Sequence, residues 1–223
     1  MSVRTTLHVF RLIFAIIWCY SLYFDVKYQP RLGHEYYIYK LVMLTNINFV
    51  LLTVFSVIAA LGYFFNTLHT VRSFMFYTSA FPLGTITCSL FWGLYYIDPE
   101  LVMPSWVARL IPSWLNHVTH TLPISQLIFE MLSGTNKPSS RRTNIISSAF
   151  LVAVYFIIIL VTRAVDGYWI YPLLELFAVH HFLLGYILAV LGYYSLILLA
   201  QKVSKISFVQ QRKLNRGGRK KQC

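Results

Sequence analysis

The chain has 223 residues, 57% of them hydrophobic and 17% aromatic but only 12% charged, a balance that excludes an ordinary soluble domain of this length. Its apolar residues do not follow amphipathic periods; they gather into runs of roughly 18 to 25, the length that crosses a hydrocarbon core of about 30 Å. The net charge of +12 does not mark a nucleic-acid binder, because most of the excess sits in "QRKLNRGGRKKQC", where a basic segment beside a span sets topology and binds anionic lipid head groups.

Six runs follow in chain order: Leu7 to Phe24, Leu41 to Phe64, Phe74 to Ile97, Trp114 to Leu132, Ile145 to Val161, and Leu174 to Ala200. The pattern predicts an all-α, six-span bundle over residues 1–200, followed by a basic tail over 201–223. The first run is too long for a cleaved signal sequence and reads as a retained anchor. Arg11, near its cytosolic end, is placed to snorkel. The fourth run is the weakest, carrying Asn116, His117, Thr119, His120, Pro123 and Gln126. If it spans, those polar groups face the bundle interior; an amphipathic helix lying in the interface is the alternative.

Six spans place the N-terminus, the second and fourth connections and the tail on one side, with thirteen basic residues against five on the other. Both termini are therefore expected in the cytosol. Proline and glycine punctuate the span ends, and Trp92, Trp106, Trp114, Tyr168, Trp169 and Tyr171 fall where aromatic belts belong. Three cysteines without a CxxC indicate neither a disulfide framework nor a structural zinc site. The terminal "KKQC" resembles a dilysine retrieval signal and favours the endoplasmic reticulum, with the plasma membrane as the alternative.

Polar groups within the runs fall into three clusters: Thr45, Asn46 and Asn48; Asn116, His117, Thr119 and His120; His180 and His181. Runs two, four and six enter from the same side, so all three clusters lie at one depth, roughly 6 to 10 Å below the interface. Thr45 and Asn48 share a helical face, as do Asn116 and His120. A hydroxyl on one helix facing an imidazole on the next is the minimum for nucleophilic acyl transfer, the ring acting as base and then as acid. Asn116 can orient the ring, and Asn48 can stabilise an oxyanion. Glu130 and Glu175 fall near span ends, leaving no buried carboxylate as a third member.

Three other readings stand beside this one. The polar residues can simply glue helices together in a non-enzymatic scaffold or regulator. His120 with His180 or His181 can hold a haem, and His117, His120 and His180 can hold a zinc. Spacing does not choose between His117 and His120.

"LTNIN", "AFP", "FWGLYYIDPELVMP", "IPSWLNHVTHT" and "GYWIYP", in that order, resemble the androgen-induced protein family, which includes the androgen-dependent regulator of tissue factor pathway inhibitor. The most specific element is "WLNHxxHT". The resemblance implies a six-span intramembrane hydrolase of fatty acid esters of hydroxy fatty acids, with no cofactor or metal. It selects Thr45, three residues before Asn48, as nucleophile, and His120, the second histidine of "NHxxH", as base. Two departures stand out. Val42, Met43 and Leu44 precede the threonine where the family often has a basic and an aromatic residue, leaving Lys40 or Arg109 to meet a substrate carboxylate. The interval from His120 to Pro123 is also shortened, which can rotate the lower part of helix four while leaving the dyad's register intact.

Overall fold

The computed structural model describes residues 3–29, 40–167, 169, 171, 174–175 and 177–220, with 208–220 as backbone only. The connection over 30–39 and the last three residues of "KKQC" lie outside the described residues, as do Tyr168, Pro172 and Leu173. Among the described residues there is no strand. The α-helices among the described residues include α1 Val3–Tyr28, α2 Leu44–Leu61, α3 Thr67–Met75, α4 Phe81–Ile97, α5 Ser105–Ala108, α6 Ser113–His120, α7 Leu122–Leu132, α8 Arg141–Asp166 and α9 Val179–Lys220.

Among the described residues five stretches are long and apolar enough to cross a bilayer: Val3–Tyr28, Leu44–Leu61, Thr67–Ile97, Arg141–Asp166 and Val179–Ser207. Their outer faces expose Ile16, Val54, Phe150, Ile157, Leu184 and Leu188, a surface that water would not tolerate on this scale but lipid requires. The inner faces bury Trp18, Phe49, Leu52, Phe55, Phe76 and Ile197 in one core, which Leu127 of α7 joins. This is a multi-pass helical membrane protein.

The predicted fourth span differs. Trp114 to Leu132 is not one helix but α6 and α7, of eight and eleven residues, each well short of the roughly 20 residues a crossing needs. The break falls at Thr121 (φ −119°, ψ −45°), just before Pro123, whose ring removes one backbone donor and crowds the preceding turn. Trp92 on α4 donates its indole N–H to the His120 carbonyl at 2.9 Å and so closes the end of α6.

A second proline shapes the third span. Pro82 cannot donate to the Thr78 carbonyl, and the helix widens into a π turn over Phe76–Ala80. The Thr78 carbonyl instead accepts the Tyr193 hydroxyl of α9 at 2.8 Å, so the local defect becomes an interhelical bond. Gly84 lets α4 and α7 approach closely, since a Cβ there would lie 2.8 Å from Leu127 Cδ1.

Polar side chains pin the short α7 into the bundle. Trp18 Nε1 of α1 donates to Gln126 Oε1 at 2.6 Å, and Gln126 Nε2 donates to Ser56 Oγ of α2 at 2.7 Å. All three residues are buried, and in a bilayer such bonds contribute about 1 kcal/mol each. Gln126→Leu, which strands the Trp18 N–H, should lower the melting temperature of the purified protein by several degrees without changing its helical content by circular dichroism.

One turn further along α7, the structure corrects two expectations. Arg11 does not snorkel: it is 8% exposed, and its Nε and Nη2 donate to Glu130 Oε1 and Oε2 at 2.7 and 2.9 Å. Glu130, expected near a span end, is 1% exposed, so a buried carboxylate exists. Desolvating either charge alone is so costly that opposite charges at matched depth pair up. Because Glu130 is bound to Arg11, it is not the third member of a catalytic group.

Candidate active site

The site forms where α2, α4 and α6 meet at one end of the bundle. Residues 40–42 are helical, but Met43 is extended (φ −77°, ψ 132°), so regular helix begins at Leu44. Thr45 therefore sits in the first turn of α2, not one to two turns inside a helix starting at Leu41. The Asn46 and Ile47 N–H groups of this turn donate to the Met43 carbonyl at 3.0 and 3.1 Å, and the helix dipole favours negative charge at this end.

Thr45 Oγ1 lies 3.3 Å from His120 Nε2, a distance common for catalytic hydrogen bonds before substrate tightens them. His120 Nδ1 faces acceptors: Asn116 Oδ1 at 2.8 Å, the Asn116 carbonyl at 3.1 Å and Thr119 Oγ1 at 3.0 Å. The Thr119 hydroxyl proton is directed to the Leu115 and Asn116 carbonyls, both at 3.1 Å, so Thr119 accepts from the ring. These contacts put the ring proton on Nδ1 and leave the Nε2 lone pair toward Thr45. Phe91 of α4 stacks on the imidazole with centroids 3.6 Å apart and planes 14° apart, fixing its tilt. The result is a line of three side chains, Thr45, His120 and Asn116, with the roles a nucleophile, its base and an orienting group require.

Asn48, one turn deeper on α2, is fully buried, and neither its Oδ1 nor its Nδ2 has a hydrogen-bond partner among the described residues. An unpaired buried amide costs about 1–3 kcal/mol, a cost that packing alone does not offset. Asn48→Leu should therefore leave the melting temperature unchanged or raised; if the amide serves the reaction, turnover falls by about a hundredfold or more.

The remaining expected residues scatter. His117 is exposed, stacks on Trp92 and has Nδ1 3.1 Å from Thr121 Oγ1, so its ring is engaged away from Thr45. His180 and His181 are exposed at the head of α9, where His181 Nδ1 accepts the Ala178 N–H at 3.0 Å. They serve the start of that helix and do not join His120. Among the described residues no three potential ligands converge on a metal, so His117, His120 and His180 do not form the three-histidine set a catalytic zinc requires. Lys40 is ion-paired with Asp25, which neutralises it as a partner for a substrate carboxylate. Arg109 is exposed just after α5. The aromatic contributions of Phe91 and Trp92 escape sequence reasoning, because their belt-like positions already have an ordinary explanation.

Fold and site together define a polytopic helical membrane protein in which helix ends bring a threonine hydroxyl to an asparagine-oriented histidine. The chain belongs to the FAR-17a/AIG1-like protein family, whose model matches residues 6–205. It is similar to human androgen-induced gene 1 protein, with 30% identity over 106 residues, covering 48% of this chain and 44% of that protein. It is likewise similar to mouse androgen-dependent TFPI-regulating protein, with 35% identity over 105 residues, covering 47% and 45%. Its similarity to the human protein of that name is 28% over 138 residues, covering 58% and 60%. The matches span about half the length of these curated relatives. No solved structure matches the chain.

Proposed function

We propose that the protein is an intramembrane esterase that hydrolyses fatty acid esters of hydroxy fatty acids through Thr45 and His120. The observation that carries this reading is the line from Thr45 Oγ1 through His120 to Asn116 Oδ1. The family resemblance supplies the substrate class. Thr45 Oγ attacks the ester carbonyl carbon while Nε2 takes the hydroxyl proton. The tetrahedral oxyanion forms at the positive end of the α2 dipole, against the unpaired Asn48 amide. Collapse breaks the bond to the hydroxy fatty acid, whose alkoxide receives the proton from Nε2. Water then attacks the acyl-threonine by the same relay, releasing the fatty acid and restoring Thr45.

Substrate enters laterally from the bilayer, its acyl chains lying among the helices. Helices α6 and α7 together cover Ser113 to Leu132, about 30 Å at 1.5 Å per residue, and complete a sixth crossing. At the break the His120 carbonyl accepts the Trp92 indole N–H at 2.9 Å, the kind of replacement partner a broken crossing needs in a bilayer. Six crossings put both termini in the cytosol and the dyad toward the opposite leaflet, with "KKQC" exposed to the retrieval machinery of the endoplasmic reticulum.

The test is hydrolysis of a branched hydroxy-fatty-acid ester by membranes containing the wild type or Thr45→Ala at matched protein level. The wild type releases fatty acid and Thr45→Ala remains at the level of empty membranes. Equal rates for the two would leave only a scaffold role for these residues.

A further inference from the structure

At the other end of α2, a second site takes shape. A cavity of about 560 Å³ opens between the start of α1, the junction of α2 with α3, and the segment after α7. Arg4, His8, Arg11, His69, Arg72 and Lys137 line it, and none of its lining residues is acidic. Ala59, on its wall, is fourteen residues from Thr45, roughly 21 Å along the helix, so this cavity is separate from the dyad. Four of those side chains carry permanent positive charge, and the Glu130 carboxylate bound to Arg11 offsets one of them.

The buried cation at its wall is the decisive feature. Arg72 is 1% exposed; its Nε donates to Asn136 Oδ1 and its Nη2 to the Thr135 carbonyl and hydroxyl, each at 3.1 Å. Its Nη1 is buried with no partner among the described residues, and so is His8 Nδ1. A basic residue that merely set membrane topology would sit in the head-group layer with its donors hydrated; a buried guanidinium with an unsatisfied N–H calls for an acceptor. His8 itself is held in place, its ring stacked on Tyr63 with centroids 4.1 Å apart. Arg4 also lies over Tyr63, 5.0 Å from the ring, and donates to the Tyr63 carbonyl at 3.0 Å.

We propose that this cavity binds a phosphate-bearing anion, with Arg72 and His8 in its inner wall and the exposed Arg4 and Lys137 as its outer cations. A monocarboxylate would leave most of the positive charge unbalanced. A phosphate group brings up to two negative charges and three acceptor oxygens, which guanidinium forks match well. The volume suits a small phosphorylated group. The phosphate comes from a lipid head group or from a soluble metabolite, the chemistry being the same.

The experiment is native mass spectrometry of the full-length, detergent-solubilised protein titrated with a phosphatidylinositol monophosphate, with phosphatidylcholine of the same chain length, and with soluble inositol bisphosphate. The wild type should take up one tightly held equivalent of a phosphate-bearing probe in preference to phosphatidylcholine. Arg4→Gln/Lys137→Gln, which changes two exposed residues, should weaken that binding roughly thirtyfold, the factor two such cations supply. Uptake of the lipid alone identifies a head-group site; uptake of the soluble bisphosphate as well identifies a general phosphate site. Anions held only by the basic C-terminal segment would bind the double variant as tightly as the wild type, which overturns the proposal. So does failure of every phosphate-bearing probe to bind the wild type more tightly than phosphatidylcholine.

Discussion

His120→Ala is expected to slow ester hydrolysis by about a hundredfold to ten-thousandfold, the range general acid–base catalysis contributes, and Thr45→Ala added to it should lower the rate no further. The reason is geometric. Nε2 lies 3.3 Å from Thr45 Oγ1, and without the ring the hydroxyl keeps its proton and is a poor nucleophile. Residues that act as one unit lose most of their effect when any one member is removed, so their losses do not add. KM should change little, because neither group grips the acyl chains. Asn116→Ala should give a smaller loss, since the Asn116 carbonyl and Thr119 Oγ1 still face Nδ1 at 3.1 and 3.0 Å. Full rate in His120→Ala, or independent and additive losses in the double variant, would separate the two residues and remove the base from the scheme.

The largest effect on stability is expected at Glu130. Glu130→Ala leaves the Arg11 guanidinium buried without its carboxylate and also removes an acceptor 3.3 Å from Asn136 Nδ2. Breaking one partner of a buried ion pair costs about 3–5 kcal/mol, a large fraction of the stability of a domain this size. The variant should therefore express poorly and unfold well below the wild type in detergent. Replacing both partners, Arg11→Met with Glu130→Leu, removes the stranded charge and should recover most of that loss. If Glu130→Ala melts like the wild type, the pair is not buried as described.

The sequence makes the apolar runs legible because a bilayer sets their length, and five of them appear as long helices. It also brings Thr45, Asn116 and His120 to one depth, since helical spacing and chain direction alone decide that. Other features depend on contacts no periodicity carries. The break at Thr121 follows from Pro123, but its position relative to Trp92 is tertiary. Arg11 and Glu130 each sit a few residues from a run's end, where snorkelling is the default; only the packing of α1 against α7 pairs them. The opposite holds for His180 and His181, whose depth matched on paper while α9 begins only at Val179 and leaves both exposed. Asn48 could be assigned a face, but not the isolation of its amide, which depends on Gly84 and Leu127 closing around it.

Activation of Thr45 by His120 is read by treating membranes with a fluorophosphonate probe and locating the adduct by peptide mass spectrometry in the wild type and His120→Ala. A nucleophilic Thr45 is phosphonylated in the wild type and little or not at all in His120→Ala, with no labelling of Thr119 or Thr121. An adduct on another residue, or equal labelling of Thr45 with and without the histidine, would contradict that activation.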